Sequence, residues 1–388
     1  MKTFDGSGQF YSQGLTLIEL LIAMVLSLFL MGGVIAVLLD SKDHFFMAEE
    51  TSYIQENARF AVDQIGYDIR MAGYFGCSVG GNLTNTLNGS GSAGGGSYSS
   101  NGIKGFEYSE RTDADFPADI ESASNPVRAL VAGTDVVVVN RGEQNDSLVV
   151  TSHTPPSATV HLSVSHNMQK GDILVMATPN CSNMSIFQMT GPTSPNPSHI
   201  NHSKNNSMNP GNCKKALSTA TGGGYTCGTA SEPGNSETGV SFPPGSALMK
   251  FSSQAYFIST SEVTGLPTLF RMTLGTVGGE AANEVEELVS GVEDMEIVYG
   301  VDTDATADNL VNRYYTANEI TVDLATAGSF VAWDRVLTAR VTLILRSNTP
   351  VFPGNTTVNL GEGFTYNDRY MRQKVSSTVR LRNRGLGG

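Results

Sequence analysis

The chain has 388 residues, with 37 acidic against 24 basic side chains and a formal net charge of −13. That sign excludes a protein that coats nucleic acid or adheres generally to anionic membranes. The apolar share is an ordinary 40%, so a core can form, and the length suits one large domain or two small ones.

In chain order, the first feature is an apolar run. No charged residue occurs from Leu20 to Leu39, and only Ser27, Gly32 and Gly33 interrupt the aliphatic and aromatic side chains. Twenty helical residues rise about 30 Å, the thickness of a bilayer's hydrocarbon core. The spacing therefore predicts a membrane-spanning helix over 15–39. Glu19 stands at its start, where a carboxylate is costly in lipid and calls for a cationic partner. Past Asp40, Lys42 and Asp43 the helical period continues. Ile54, Ala58, Ala61, Ile65, Ile69 and Ala72 recur at steps of three and four, with Gln55, Glu56, Arg59, Asp63 and Asp68 on the other faces. Residues 40–73 thus read as an amphipathic continuation that lies against a sheet, stopped by Gly73. The whole helix, 15–73, would be on the order of 85 Å long.

Residues 74–388 read as an exported β-rich domain with two irregular loops, 78–128 and 191–246. Within the first, 78–102 is Gly, Ser, Asn and Thr with little to bury. Its Gly89-Ser90-Gly91-Ser92-Ala93-Gly94 fits a dinucleotide-binding spacing, but no strand precedes it and no helix follows, so that site is rejected. Strands are expected at 135–139, 148–151, 158–164, 172–177, 186–190, 247–259, 268–273, 295–301, 336–345 and 374–384. In the last, Val379 and Leu381 alternate with Arg380, Arg382 and Arg384, the period of a half-buried strand with a solvated basic face. The expected fold class is α+β: one long helix packed on a mainly antiparallel sheet.

Cys77, Cys181, Cys213 and Cys227 are even in number. On the exported side of a membrane that means two disulfides. Of three connectivities, Cys77–Cys181 with Cys213–Cys227 is preferred: the second closes a short Gly-rich loop, and the first staples the helix end to the sheet. Catalytic motifs are lacking, so the chain is read as no enzyme, without cofactor or metal. His199 and His202 with Cys213 and Cys227 fit no standard zinc spacing. Asp302, Asp304, Asp308 and Asn309 form a carboxylate-rich turn, without the glycine and terminal glutamate of an EF-hand loop.

The residues Gly14-Leu15-Thr16-Leu17-Ile18-Glu19-Leu20 resemble the processing site of type IV prepilins. The resemblance implies that a prepilin peptidase removes the leader 1–14 after Gly14 and methylates Leu15, and that Glu19 pairs with a neighbour's amino-terminal amine during assembly. Leu15 departs from the family's usual Phe. Further on, Arg70-Met71-Ala72-Gly73-Tyr74-Phe75-Gly76-Cys77, Asn180-Cys181 with Ile186-Phe187-Gln188, the stretch from Leu288 to Asp302, and Val379-Arg380-Leu381-Arg382-Asn383 resemble PilW-type minor pilins. The implied role is a structural subunit of a type IV pilus tip and priming complex, serving twitching, adhesion or DNA uptake. Implied partners are other minor pilins, the major pilin and the inner-membrane assembly platform; nucleic acid would be met only at a pilus tip. The implied location is the inner membrane, with the globular domain in the periplasm, then the pilus. Alternatives are a minor pseudopilin of a type II secretion system, and a tip adhesin or DNA receptor whose loops 78–128 and 191–246 bind a ligand.

Overall fold

The structure, a computed structural model, describes residues 16–77, 81–88, 102–110, 116–117, 120, 129–143, 148–194, 197–221, 224–227, 239–324, 332–361 and 363–384. The chain divides into two units, residues 1–53 and 54–388. Helix α1, Leu17–Met71, is continuous through Gly32-Gly33. None of its residues in the first unit is fully buried, and Phe46 and Met47 are half-buried. Leu17 and Phe29 are each 77% exposed, and the apolar run between them is open throughout. By length and composition this helix can cross a membrane.

The second unit begins where α1 becomes amphipathic. Ile54, Ala58, Ala61, Ile65, Ile69 and Ala72 are all buried, as the three-four spacing predicts. They form one cluster with Val137, Tyr256, Ile297, Tyr299, Val341 and Val379. Gly66 lets the helix sit close: a Cβ there would meet Val379 Cγ2 at 3.3 Å. Gly73 ends the helix at φ +75°, which L side chains rarely adopt.

Among the described residues the strands form three sheets. The long strand β9 (Ala247–Thr260) organises the largest, which has eleven strands. Its first half pairs with β6 (Ile173–Ala177) and β4 (Leu148–Thr154), and its second half with β3 (Val136–Gly142) and β10 (Pro267–Val277). The valines of β3 are buried on both sides. Val137 and Val139 meet α1, while Val136 and Val138 meet Phe257 and Phe270. Beyond β4 lie β5 (Thr159–Leu162) and β8 (His199–Asn201), and beyond β6 lies β7 (Asn183–Gln188). A second, antiparallel sheet has the order β13 (Arg313–Tyr315), β12 (Val292–Val301), β14 (Val336–Arg346), β17 (Arg372–Arg380). A small hairpin pairs β15 (Thr356–Asn359) with β16 (Thr365–Asp368). The fold is α+β, as expected, with one parallel pair in an otherwise antiparallel arrangement.

Two regions expected to be loops contain structure. In 78–128, β1 (Asn82–Asn85) pairs parallel to β7, and β2 (Ile103–Phe106) pairs with β3. Phe106, Phe116 and Ile120 are buried in a cluster with Val136 and Phe257. In 191–246, β8 is ordered, and Leu217, Tyr225 and Phe242 are buried. These pieces are too short and polar to show a period; they are stabilised by partners distant in the chain. Thr86 and Asn212, for example, bond one another at 3.2 Å. The Gly89–Gly94 stretch lies outside the described residues. Strand β11 (Glu280–Ser290) was not expected either. It forms a hairpin with β10 across Gly278-Gly279, both at positive φ, the two-residue turn such glycines favour. The final strand ends at Arg380 rather than Arg384, since Leu381 and Arg382 leave the ladder to bond Leu337 and Arg70 carbonyls.

Helix and sheet are also joined by charge. Asp68, 1% exposed, accepts from Arg141 at 3.3 Å and from the Tyr256 hydroxyl. Burial, and then the Asp68 charge, push the Tyr256 hydroxyl's pKa up. Removing one member strands the others in a dry interface. Asp68→Ala is expected to cost about 3–5 kcal/mol, the range for breaking a buried pair, and Asp68→Asn less. Urea unfolding of the two variants checks this.

Candidate assembly site at the amino terminus

The residues around Glu19 come first. Gly14 and Leu15 lie outside the described residues. Thr16 and Glu19 form a reciprocal cap. Glu19 Oε2 accepts from the Thr16 backbone N–H at 3.1 Å and from Thr16 Oγ1 at 3.0 Å, while the Glu19 N–H donates to Thr16 Oγ1 at 3.3 Å. This is the capping box of a Thr-x-x-Glu start, worth about 1 kcal/mol to a helix. The Thr-x-x-Glu spacing carries this signal in the sequence, where a carboxylate at a membrane edge reads first as a charge. The arrangement holds a carboxylate at the helix entrance with no cation paired to it among the described residues.

The four cysteines sit in the second unit. Cys77, just past α1, is bonded to Cys181 in the β6–β7 turn, with Cα atoms 5.8 Å apart. Cys213 is bonded to Cys227, Cα atoms 6.3 Å apart. Their backbone N–H groups donate to Thr86 and Asn85, tying that loop to β1. The sulfurs are therefore engaged. His202, fully buried, meets His153 Nε2 through its own Nε2 at 3.0 Å. The turn Asp302-Asp304-Asp308 does converge, its carboxylates lying within 4.8 Å of one another. Asp302, though, already accepts from the backbone of Asp304, Asp308 and Asn309 and faces Arg335 at 3.8 Å. Those contacts explain a buried carboxylate as the clasp of a turn. Of the basic run, Arg384 is paired with Asp334 at 2.9 Å, while Arg380 and Arg382 are exposed.

Two regions of the chain match families. Residues 10–35 match the prokaryotic N-terminal methylation motif, and residues 255–383 match type IV pilus-assembly protein W. Neither match reaches Arg70–Cys77 or Asn180–Gln188. No curated protein matches the chain. A solved type IV-like pilin from Thermus thermophilus is similar over 34% of this chain and 69% of its own, at 13% identity and a TM-score of 0.21, too low to carry an argument. The amino-terminal match gives the chain an N-terminal methylation motif, and the carboxy-terminal match makes it similar to PilW-like type IV pilus-assembly proteins over residues 255–383.

The buried histidines set a pH dependence. The Phe242 N–H donates to His153 Nδ1 at 3.0 Å, so His153 carries its proton on Nε2 and donates it to His202. Burial holds His153 down to about 4; burial and then His153 hold His202 down to about 3. Both therefore stay neutral when folded but charge near pH 6.5 when unfolded. Their contribution is complete above pH 6.5 and declines below it by about 1.4 kcal/mol per pH unit for each imidazole, the decline ending near pH 4 for His153 and near pH 3 for His202. The urea midpoint is expected to drop over that window. His202→Gln should make the drop shallower.

Proposed function

We propose that this protein is a minor pilin of a type IV pilus, a subunit of the complex that primes assembly and remains at the tip. The carrying observation is the open apolar run of α1, with Glu19 at its entrance inside a methylation motif. The leader 1–14 is removed by the prepilin peptidase after Gly14, and Leu15 becomes the methylated first residue. Before assembly, 15–39 lies in the inner membrane and the β-rich domain faces the periplasm, a compartment in which Cys77–Cys181 and Cys213–Cys227 persist. The assembly platform then moves the helix from lipid into a bundle of like helices of the major pilin and other minor pilins, so its apolar surface never meets water.

Glu19 supplies the register. In lipid its carboxylate is occupied by Thr16. In the bundle it exchanges those uncharged donors for a neighbour's cationic amine, which adds a full ion pair in a water-poor surrounding. A subunit out of register leaves the carboxylate unpaired in a dry interior. The role is structural, not catalytic.

Glu19→Ala is expected to leave cleavage after Gly14 intact while the subunit fails to enter sheared pili. Glu19→Gln retains the cap without the charge and should fail in the same way. Amino-terminal mass spectrometry of the membrane form and immunoblots of sheared pili read the two steps separately. Normal piliation with either variant defeats the mechanism. A deletion strain that keeps its pili and loses protein secretion assigns the chain to a type II secretion system instead.

A further inference from the structure

Five of the six histidines of this chain, His153, His161, His166, His199 and His202, come from one corner of the large sheet. His153 is in β4, His161 in β5 and His199 in β8, the strand that ends the order on that side. Alternation divides a strand's side chains between two faces. Val160, Leu162 and Ile200 are buried in one apolar cluster. His161 and His199 therefore stand on the other face, where His161 is exposed and His199 half-buried.

Three of the five are already committed. His153 and His202 spend their Nε2 atoms on each other at 3.0 Å, and His153 Nδ1 accepts the Phe242 N–H. Neither ring keeps a lone pair for a ligand. His166 is buried, and its Nε2 donates to the His199 carbonyl at 3.2 Å, which braces the backbone of β8. Its Nδ1 is shut off from solvent. Among the described residues, no ring nitrogen of His161 or His199 is hydrogen-bonded or ion-paired.

His161 and His199 lie directly opposite one another in the ladder. The Leu162 N–H donates to the Ser198 carbonyl at 2.8 Å. Bonded and open pairs alternate between antiparallel strands, so Val160–Ile200 is a bonded pair and His161–His199 an open one. Open pairs bring side chains closest, with Cα atoms about 4.5 Å apart. The two rings stand 5.9 Å apart between centroids, with their planes tilted by 40°. A zinc ion sits about 2.1 Å from each imidazole nitrogen, and a ring centroid lies about 1 Å behind its nitrogen. Two rings that share one ion are thus about 5 Å apart at the tetrahedral angle and about 6 Å apart with the ion in line between them. The observed spacing falls inside that range.

We infer that His161 and His199 hold one divalent late transition ion, Zn²⁺ or Cu²⁺, across the β5–β8 ladder. Each imidazole gives one nitrogen lone pair, and the remaining coordination positions are open to water. Imidazole suits Zn²⁺ and Cu²⁺, with Cu²⁺ the tighter of the two, whereas Mg²⁺ and Ca²⁺ prefer oxygen. The ion joins two strands at the end of the sheet, where β8 has three residues. It stabilises the folded state to a degree set by its concentration. Strands β6 and β7 come between the two histidines in the chain, so no ligand spacing shows the pair; the ladder brings them together.

The test uses the full chain in detergent micelles, stripped of metal with a chelator and dialysed. Calorimetric titration with zinc chloride and with copper sulfate is expected to show a site that His161→Ala and His199→Ala each weaken about tenfold or more, the least that losing even an outer-shell partner costs. Both side chains lie outside the core, so circular dichroism melts of the metal-free variants should match wild type. Added Zn²⁺ should raise the melting temperature of wild type and of neither variant. Copper-loaded wild type should show nitrogen hyperfine coupling from two imidazoles in its paramagnetic resonance spectrum, and each variant from one. His44→Gln removes the histidine beside Asp40 on α1, and Asp304→Asn disables the acidic turn; both should bind as wild type does. Wild type that takes up neither ion, or binding that both histidine variants retain in full, overturns the proposal. Binding that Asp304→Asn or excess calcium abolishes, with the histidine variants unaffected, overturns it in favour of the acidic turn. None of these outcomes involves Glu19, so a failure here leaves the pilus reading standing.

Discussion

An apolar helix surface left open has to be covered by something else. From Leu17 to Leu39 the side chains of α1 are open, and water is the one environment they cannot occupy at length. At roughly 25 cal/mol per Å² of apolar surface, leaving twenty such residues wet is untenable. A bilayer interior and a bundle of apolar helices are covers of similar polarity, so either satisfies this constraint. The rest of the molecule fits this constraint. A domain that must leave one half of its helix uncovered has to hold the other half firmly.

That grip is built from shape and charge together. Ile54, Ala61 and Ile65 supply a narrow apolar stripe, and Gly66 lets Val379 approach. Asp68 adds directed bonds to Arg141 and Tyr256, which come from two neighbouring strands of the large sheet. The Cys77–Cys181 bond then secures the chain just past the helix to the β6–β7 turn. Further out, where strands are short and side chains polar, the fold relies on long-range hydrogen bonds such as Thr86 to Asn212 and on the second disulfide. The buried His153–His202 pair belongs to this outer region.

How much could be read from the residues varied with the reach of the interaction. The helix and its buried face were legible because their period is local: each turn repeats the same apolar choice. Strands with long apolar or alternating runs, such as Val136–Gly142 and Val336–Arg346, were legible for the same reason. Strand β11 was not. Its four glutamates face solvent from an edge strand, and only the Gly278-Gly279 turn betrayed the hairpin. Strands β1 and β8 carry no pattern of their own, since neighbours over a hundred or some forty residues away pair with them. The Thr16–Glu19 cap was written in the sequence as a motif, and it was missed because a carboxylate beside a membrane span has a second, more prominent meaning.

The sequence by itself determined that an apolar, uncharged span follows a cleavage-like glycine, that a carboxylate guards its entrance, and that the helix turns amphipathic near residue 54. Those properties depend on residues within a turn or two of each other. Only the tertiary structure decided which arginines are spent on internal ion pairs and which are left facing outward. Arg372 and Arg380 end the same strand, yet one is buried against Glu293 and Asp368 and the other is exposed. A strand's alternation says which side chains share a face, but not what the opposing sheet, turn or helix will put there.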